Sequence, residues 1–227
     1  MRVGIVGSGR IGGNAGRLFA RAGHEVLFSF SRDPEKLRAL ADAAGNGARA
    51  GTPAEAVAFG EVVMLSVPWA MVDEALDAAG PLDGKPLIDT TNQFGPGGVV
   101  AIPGGLSAAE FNAGRASGGR LVKSYNTMTA DFQAEASDRA DDARVAMFYA
   151  GADEDAKRTV AGLIHDSGFE PVDLGGWGEV WIMEAPRRDG SVYGEEYGPA
   201  GAREIAASLA RGDREEASRL ARARKVG

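Results

Sequence analysis

The feature that most constrains this sequence is a glycine-rich turn between a short apolar segment and an amphipathic helix, all within the first 22 residues. Residues 3–6 are apolar or small, which predicts a buried strand. From Ile11 onward, apolar residues recur at helical spacing, which predicts a helix. The turn between them carries Gly7, Gly9 and Gly12 in the pattern Gly-x-Gly-x-x-Gly. A strand, this turn and a helix in succession predict the first unit of a parallel α/β sheet.

The same turn predicts a site for the pyrophosphate of a dinucleotide. Gly7 permits the tight turn, Gly9 lets the backbone approach the phosphates, and Gly12 lets the helix pack closely on the strand. The helix also directs its free N–H groups and the positive end of its dipole toward the turn. A glycine-rich loop without a ligand is the alternative, because the chain contains 33 glycines. The flanking strand and helix favour the dinucleotide site, whose predicted residues are Gly7, Ser8, Gly9, Arg10, Ile11 and Gly12.

Apolar strands and amphipathic helices alternate along the chain that follows. The predicted strands span residues 25–30, 61–67, 85–89, 120–125, 144–150 and 169–174, with helices between most of them. This order predicts an α/β fold, a Rossmann-like doubly wound parallel sheet. A polar, aromatic loop and two helices follow, so we expect a helical C-terminal extension. We therefore predict a dinucleotide-binding domain over residues 1–184 and, packed on it, a loop and helices over residues 185–227.

Composition and charge exclude several classes of protein. The net charge of −7 argues against general nucleic-acid binding. The chain has no cysteine, which removes disulfides, thiolate nucleophiles and thiolate metal sites. The two histidines, His24 and His165, fall in different predicted elements, so we expect no metal site. There is neither a long apolar run nor a signal-peptide pattern, and we therefore expect a cytoplasmic protein that does not bind membranes.

The end of the second predicted strand selects between NAD and NADP. An acidic side chain at this place accepts hydrogen bonds from the ribose of NAD, whereas a cation with hydroxyl groups suits the 2′-phosphate of NADP. Ser31 and Arg32 stand here, and Lys36 follows about one helical turn later. Asp33 argues for NAD, but Pro34 behind it is typical of a residue that caps a helix. We therefore expect NADP(H) as the cofactor.

Five predicted strands end at the same edge of the sheet, where open parallel sheets bind ligands. The first two ends would hold the pyrophosphate and the ribose phosphate. The other three would surround a nicotinamide ring, with Pro68 and Trp69 as apolar walls and Asn92 or Asn126 binding the carboxamide. Each Asn could instead simply form a turn after its strand, and this alternative stays open. The predicted residues of this part are Ser66, Val67, Pro68, Trp69, Asn92 and Asn126.

Several short motifs follow one another in a specific order over residues 1–184. They are Gly-Ser-Gly-Arg-Ile-Gly from Gly7, Gly-His-Glu-Val from Gly23, Ser31-Arg32 with Lys36, Val67-Pro68-Trp69, Ile88-Asp89-Thr90-Thr91-Asn92, Val122-Lys123 with Asn126-Thr127, Ala150-Gly151-Ala152-Asp153 and residues 168–175. Together they resemble the NADP-binding oxidoreductases typified by the F-420-dependent NADP reductases, including the short dinucleotide-binding proteins of that family. The resemblance implies NADP(H), with Ser31, Arg32 and Lys36 on its 2′-phosphate.

The resemblance also implies a reaction. In such proteins a hydride passes directly between the nicotinamide and a deazaflavin or flavin-like acceptor stacked against it. The protein mainly positions the two rings, so a catalytic acid or base is not required and we identify no catalytic residue. A small-molecule acceptor and a homodimer are the partners that this resemblance implies.

The sequence departs from this family after Glu184, which leaves the acceptor open. One alternative is an NADPH-dependent reductase of a small imine or carbonyl compound, which would need a proton donor at the nicotinamide. Lys123 is a candidate for that donor, although within a strand we expect its side chain to point away from the site. A second alternative is a non-catalytic dinucleotide-binding or redox-sensing module that acts through a partner.

Overall fold

A computed structural model describes residues 1–226 and shows the predicted alternation of strands and helices. The first half contains β1 (Arg2–Val6), α1 (Arg10–Arg21), β2 (Glu25–Ser29), α2 (Pro34–Ala44), β3 (Arg49–Ala50), α3 (Pro53–Phe59), β4 (Val62–Leu65), α4 (Val72–Ala79) and β5 (Pro86–Asp89). A small hairpin follows, formed by β6 (Phe94–Gly95) and β7 (Gly98–Val99). The second half contains α5 (Ala108–Arg115), β8 (Arg120–Ser124), α6 (Ala130–Ala136), β9 (Ala146–Gly151), α7 (Glu154–Asp166), β10 (Glu170–Asp173), α8 (Pro199–Ala210) and α9 (Arg214–Arg224).

Eight strands form one sheet in the order β10-β9-β8-β5-β4-β1-β2-β3. The six strands β3, β2, β1, β4, β5 and β8 are parallel, which confirms the predicted Rossmann-like doubly wound fold. The chain is wound outward from β1 in both directions, so the switch point lies between β1 and β4. Ligands of such sheets bind outside the carboxyl ends of the strands at this point.

The last two strands differ from the prediction of a wholly parallel sheet. β9 pairs antiparallel with β8, and β10 is parallel to β9, so both run opposite to the other six. The connection between β8 and β9 contains α6, a helix of seven residues that the sequence did not indicate. A helix of this length spans only about 10 Å, and the chain enters β9 at the same edge at which it left β8. β9 and β10 therefore end at the edge opposite to the predicted site.

Helices cover both faces of the sheet, and alternate residues of each strand point to opposite faces. In β4, Val63 and Leu65 belong to one buried cluster with apolar residues of α3, α4 and α8, whereas Met64 belongs to a second cluster with residues of α1 and α7. All three side chains are buried. Because both faces are covered, the central strands read as continuous apolar runs rather than as alternating ones.

The C-terminal extension packs beside β9 and β10. Tyr197 is 1% exposed, and its ring meets the ring of Phe148 in β9 edge to face at 5.6 Å. Its carbonyl oxygen accepts the N–H of Ala146 at 2.9 Å, and its hydroxyl donates to the Ala221 carbonyl of α9 at 2.9 Å. One aromatic residue thus joins the extension to the sheet. No helix within residues 1–226 combines the length and the apolar character needed to cross a membrane.

We expect Tyr197→Ala to lower the free energy of unfolding by about 3–5 kcal/mol, because it removes a buried aromatic ring from between β9 and α9. Urea denaturation followed by circular dichroism measures this change. Tyr197→Phe is the matched control, since it keeps the ring and loses only the hydroxyl with its hydrogen bonds to the Ala221 and Ser191 carbonyls, at a cost of about 1 kcal/mol. Equal losses in the two variants would contradict this role of the ring.

Candidate functional site

The turn after β1 packs closely on β4 and on itself. Gly7 has a φ of +108°, and a Cβ atom there would lie 2.3 Å from the Ser66 carbonyl oxygen. A Cβ atom at Gly12 would lie 2.1 Å from the Gly7 carbonyl oxygen. At Gly9, by contrast, a Cβ atom would meet no atom of the described chain within 4 Å. Packing therefore requires two of the glycines, and the third faces open space in which a phosphate can approach the backbone.

α1 begins at this open space without a capping side chain. Gly9 is its N-cap, and its first turn contains no acidic residue. The N–H groups at the start of this helix are therefore available to an anion. Two side chains of the turn are engaged elsewhere: the Ser8 hydroxyl donates to the Ser29 carbonyl at 2.9 Å, and the Arg10 guanidinium pairs with Asp131 of α6. The turn thus offers its backbone to a phosphate.

A first cleft, of about 550 Å³, opens beside the turn. Its lining residues are Gly7, Ser8, Gly9, Phe30, Ser31, Arg32, Ser66, Val67, Pro68, Met71 and Glu74. Of the three residues predicted for the 2′-phosphate, Ser31 and Arg32 line this cleft, whereas Lys36 is exposed on α2 outside the lining. Arg32 is exposed and forms no ion pair within residues 1–226. Nothing local in the sequence marks Met71 and Glu74, which only the packing of the strand ends brings here.

Asp33 is held by the start of α2. Its Oδ1 accepts the N–H of Glu35 at 3.0 Å and the N–H of Lys36 at 3.1 Å, and Pro34 occupies the first position of the helix. Its own N–H donates to the Ser31 hydroxyl at 3.2 Å. These contacts confirm the predicted N-cap, so one oxygen of the carboxylate that argued for NAD is held by the start of α2.

A second cleft, of about 540 Å³, begins at Ile11 on the helix side of the turn. It lies between the ends of β5 and β8, α6 and the loop before α8, and its lining residues are Ile11, Thr90, Asn92, Tyr125, Asn126, Thr127, Met128, Thr129, Phe132, Tyr193, Gly194, Glu195 and Glu196. The structure thus brings the predicted Ile11, Asn92 and Asn126 together. Sequence reasoning missed Tyr193 and Glu195, because they lie in the loop that could not be assigned to an element.

The two asparagines of this cleft bind each other. The Nδ2 of Asn92 donates to the Asn126 carbonyl at 3.0 Å, and the Nδ2 of Asn126 donates to Asn92 Oδ1 at 3.2 Å and to the Met183 carbonyl at 2.7 Å. Because Asn92 Oδ1 and the Met183 carbonyl oxygen both accept hydrogen bonds, the atom of Asn126 that faces them is its Nδ2, which fixes the orientation of the Asn126 amide. Asn126 Oδ1 and the Thr127 hydroxyl are buried without a hydrogen-bond partner in the described chain. These two atoms can therefore still form hydrogen bonds beside the cleft.

Beneath the asparagines lies a buried ionic contact. The Lys123 ammonium group donates to Asp89 Oδ2 at 3.0 Å and to the Thr91 carbonyl, and both charged side chains are 0% exposed. Asn112 of α5 donates to the same Asp89 oxygen at 2.9 Å. Lys123 is not among the residues that line either cleft. Its side chain points away from the site, as the strand position suggested.

Glu184 adds a second carboxylate to this buried region. Its two oxygens accept the N–H groups of Ala108 and Ala109, the first residues of α5, at 3.0 and 2.8 Å. Burial raises the pKa of Glu184, and the charge of Lys123 together with these two hydrogen bonds opposes that rise. Glu184 therefore joins the segment before the C-terminal loop to the start of α5.

The segment after β4 lines the first cleft and contacts a residue of the second. Ser66, Val67 and Pro68 line the first cleft, and the Ser66 hydroxyl accepts a hydrogen bond from Thr90 of the second cleft at 3.0 Å. Trp69 turns away from both, with its ring 6.0 Å from Phe111. Its predicted role as a wall of the nicotinamide site stays a prediction.

Comparison with protein families matches residues 2–93 to the family described as "NADP oxidoreductase coenzyme F420-dependent". The resemblance seen in the motifs is thus confirmed for this part of the chain. No curated protein matches the chain. The match supports an NADP-dependent oxidoreductase with NADP(H) as its cofactor and leaves the acceptor undetermined.

Solved structures are similar over more of the chain. The hypothetical protein SMa0349 from Sinorhizobium meliloti is 26% identical, with a TM-score of 0.75, over 86% of this chain and 94% of its own. A proposed F420-dependent NADP reductase from Arthrobacter sp. FB24 is 27% identical, with a TM-score of 0.65, over 78% of this chain and 86% of its own. A reductive aminase from Aspergillus terreus, in complex with NADPH and ethyl levulinate, shares the fold at 20% identity and a TM-score of 0.57, over 78% of this chain and 56% of its own.

We expect Lys123→Met to lower the free energy of unfolding by about 3–5 kcal/mol, because it leaves the Asp89 carboxylate buried without its cation. The matched control is the double variant Asp89→Asn with Lys123→Met, which removes both charges and should lose less stability than Lys123→Met alone. A double-mutant cycle in urea measures the coupling between the two groups. If the losses of unfolding free energy in Asp89→Asn and Lys123→Met simply add up to the loss in the double variant, the two groups are not coupled and the expectation is wrong.

Proposed function

We propose that this NADP-dependent oxidoreductase transfers a hydride between NADP(H) and a deazaflavin or flavin-like acceptor. The observation that carries the proposal is the pair of clefts at one edge of the sheet, joined through the hydrogen bond between Thr90 and Ser66. Each cleft has the volume of a ligand site. The glycine-rich turn contributes Gly7 and Gly9 to the first cleft and Ile11 to the second, so a dinucleotide has a path across it.

The first cleft suits the phosphorylated ribose of NADP(H). Arg32 supplies a guanidinium group without an ion-pair partner within residues 1–226, and Ser31 supplies a hydroxyl beside it. A guanidinium group forms two parallel hydrogen bonds to a phosphate. Glu74 also lines this cleft, and its carboxylate would disfavour an anion close to it. The 2′-phosphate would therefore bind at the Arg32 side, with Lys36 adding positive charge from α2.

The second cleft suits the nicotinamide and the acceptor. Asn126 Oδ1 and the Thr127 hydroxyl are buried without partners in the described chain, and a carboxamide can donate to the first and accept from the second. Asn92 holds the Asn126 side chain in place through its Oδ1. We therefore propose that Asn126 and Thr127 bind the carboxamide and that Asn92 orients Asn126.

The chemistry requires little beyond positioning. The cofactor, when bound, supplies or accepts the hydride at its nicotinamide ring. Ile11, Met128 and Phe132 give the cleft apolar surfaces against which flat rings can stack. Half-buried Tyr193, with its ring 6.4 Å from Phe94, covers the cleft from the loop before α8 and limits the access of water.

A reductase of small imines or carbonyl compounds is the second candidate, and Tyr193 is the residue that favours it. Burial raises the pKa of Tyr193, so its hydroxyl stays protonated at neutral pH and could donate a proton to a nitrogen or oxygen atom in the cleft. Lys123, by contrast, is fully buried on Asp89. Four further predictions remain untested: a redox-sensing module without catalysis, a homodimer, a cytoplasmic location and a domain boundary between residues 184 and 185.

Arg32→Ala tests the cofactor. Because the variant loses charged hydrogen bonds to the 2′-phosphate, we expect the Kd for NADPH to rise about 10- to 100-fold, while the Kd for NADH changes less than about 3-fold. Calorimetric titration measures both constants. Arg38→Ala is the control, since Arg38 on α2 is also exposed but does not line the cleft. Equal effects on NADPH and NADH would refute phosphate recognition by Arg32.

Anaerobic spectroscopy tests the acceptor. The protein is mixed with NADPH and, in turn, with a deazaflavin, a flavin and a cyclic imine, and the absorbance of NADPH is followed with that of the acceptor. We expect the deazaflavin or the flavin to be reduced at the rate at which NADPH is consumed. Reduction of the imine alone would favour the second candidate, and we then expect Tyr193→Phe to slow it at least about 100-fold.

A further inference from the structure

A third cavity, of about 240 Å³, lies in the C-terminal extension and is strongly basic. Its lining residues are Arg187, Arg188, Asp189, Gly190, Ser191, Glu195, Tyr197, Ala221, Arg222 and Lys225. Four cations thus face two carboxylates in a chain whose net charge is −7. We call Arg187, Arg188, Arg222 and Lys225 the basic cluster.

Glu195 and Asp189 accept hydrogen bonds from only some of the N–H groups of the basic cluster. Arg187 directs Nε, at 3.0 Å, and one terminal nitrogen to a single oxygen of Glu195, and Arg222 donates to Asp189 at 3.1 Å. Arg188 has no carboxylate partner within residues 1–226, and its guanidinium donates to the Trp181 and Glu184 carbonyls. Since each guanidinium carries five N–H donors, these contacts leave several N–H groups of the three arginines without a partner in the described chain.

The basic cluster lies next to the second cleft. Glu195 lines both spaces. Gly194, which lines the cleft, lies so close to Arg187 that a Cβ atom there would be 3.6 Å from Arg187 Cδ. The N–H of Gly194 donates to the Thr127 carbonyl at 2.9 Å, which holds this loop against the cleft. A ring bound in the cleft would therefore lie next to the basic cluster, with Glu195 in the wall that the two spaces share.

We propose that the basic cluster binds an anionic group, a phosphate or a carboxylate, carried by the hydride acceptor. Guanidinium groups match the geometry of both anions through paired hydrogen bonds. This inference rests on the proposed function and deepens it, because it assigns the acceptor to ring compounds with an anionic substituent. It also gives residues 185–227 a role in selecting the acceptor. Arg32, on the other side of the turn, serves a different phosphate.

Riboflavin and FMN, and their 5-deaza analogues, test the proposal because the members of each pair differ only in a phosphate. With NADPH as donor, we expect kcat/KM to favour the phosphorylated member by at least about 10-fold and the preference to shrink as salt is added. In Arg188→Gln with Arg222→Gln, kcat/KM for the phosphorylated member should fall to the level of the other. Arg222→Gln alone is a second variant, at an exposed position of α9. We expect it to reduce the kcat/KM preference for the phosphorylated member less than the double variant does.

Arg219→Gln is the matched control. Arg219 lies on the same helix, pairs with Glu216 and does not line the cavity, so this variant should retain the full preference. Equal kcat/KM values for both members of a pair in the wild type, or an equal loss of preference in Arg219→Gln, would overturn the proposal while the hydride transfer itself stood.

Binding measured without turnover separates this inference from the proposed function. Quenching of flavin fluorescence gives the Kd values of FMN and riboflavin, and inorganic phosphate serves as the competitor. If neither ring is reduced but FMN binds more tightly only when Arg188 and Arg222 are present, the basic cluster is supported as an anion site and the proposed reaction fails. If inorganic phosphate binds to the protein while FMN and riboflavin bind equally, the ligand is a free anion and the acceptor assignment is overturned.

Discussion

The structure depends most on one buried contact, the Lys123 ammonium group against the Asp89 carboxylate. It joins the ends of β5 and β8, and these strand ends carry the asparagines of the second cleft. A buried ion pair adds little net stability compared with an apolar pair, but either charge alone is costly. The two strand ends are therefore held in one arrangement. Asn112 and Glu184 extend this arrangement to α5 and to the start of the C-terminal extension.

Above this contact, the glycine-rich turn divides the sheet edge into two clefts of different chemistry. On one side lies an exposed Arg32 with Ser31, and on the other lie unpaired polar atoms of Asn126 and Thr127 among apolar and aromatic side chains. The negative net charge of the chain does not oppose anion binding at such a site, because helix N–H groups and a few nearby cations determine the local potential.

The sequence predicted a feature well where the contacts that form it join residues close together in the chain, and poorly where those residues are far apart in the chain. Asp33 followed by Pro34 predicted a helix cap, and the cap exists because an aspartate reaches the N–H groups two and three residues later. The reversed direction of β9 had no comparable local signal, since an apolar strand pairs in either direction. The short helix α6 was missed for a related reason, because its seven residues are too few for a clear periodic pattern.

The sequence by itself determined the fold class, the glycine-rich turn and the four other strand ends at the same edge, because these follow from periodicity, from glycine geometry and from the polarity of parallel sheets. Only the tertiary structure decided what completes the second cleft. Tyr193 and Glu195 reach it from the loop before α8, and Asp89 is the buried partner of Lys123, which the strand position of Lys123 alone did not indicate. Both outcomes depend on contacts between residues far apart in the chain, and no local pattern encodes such contacts.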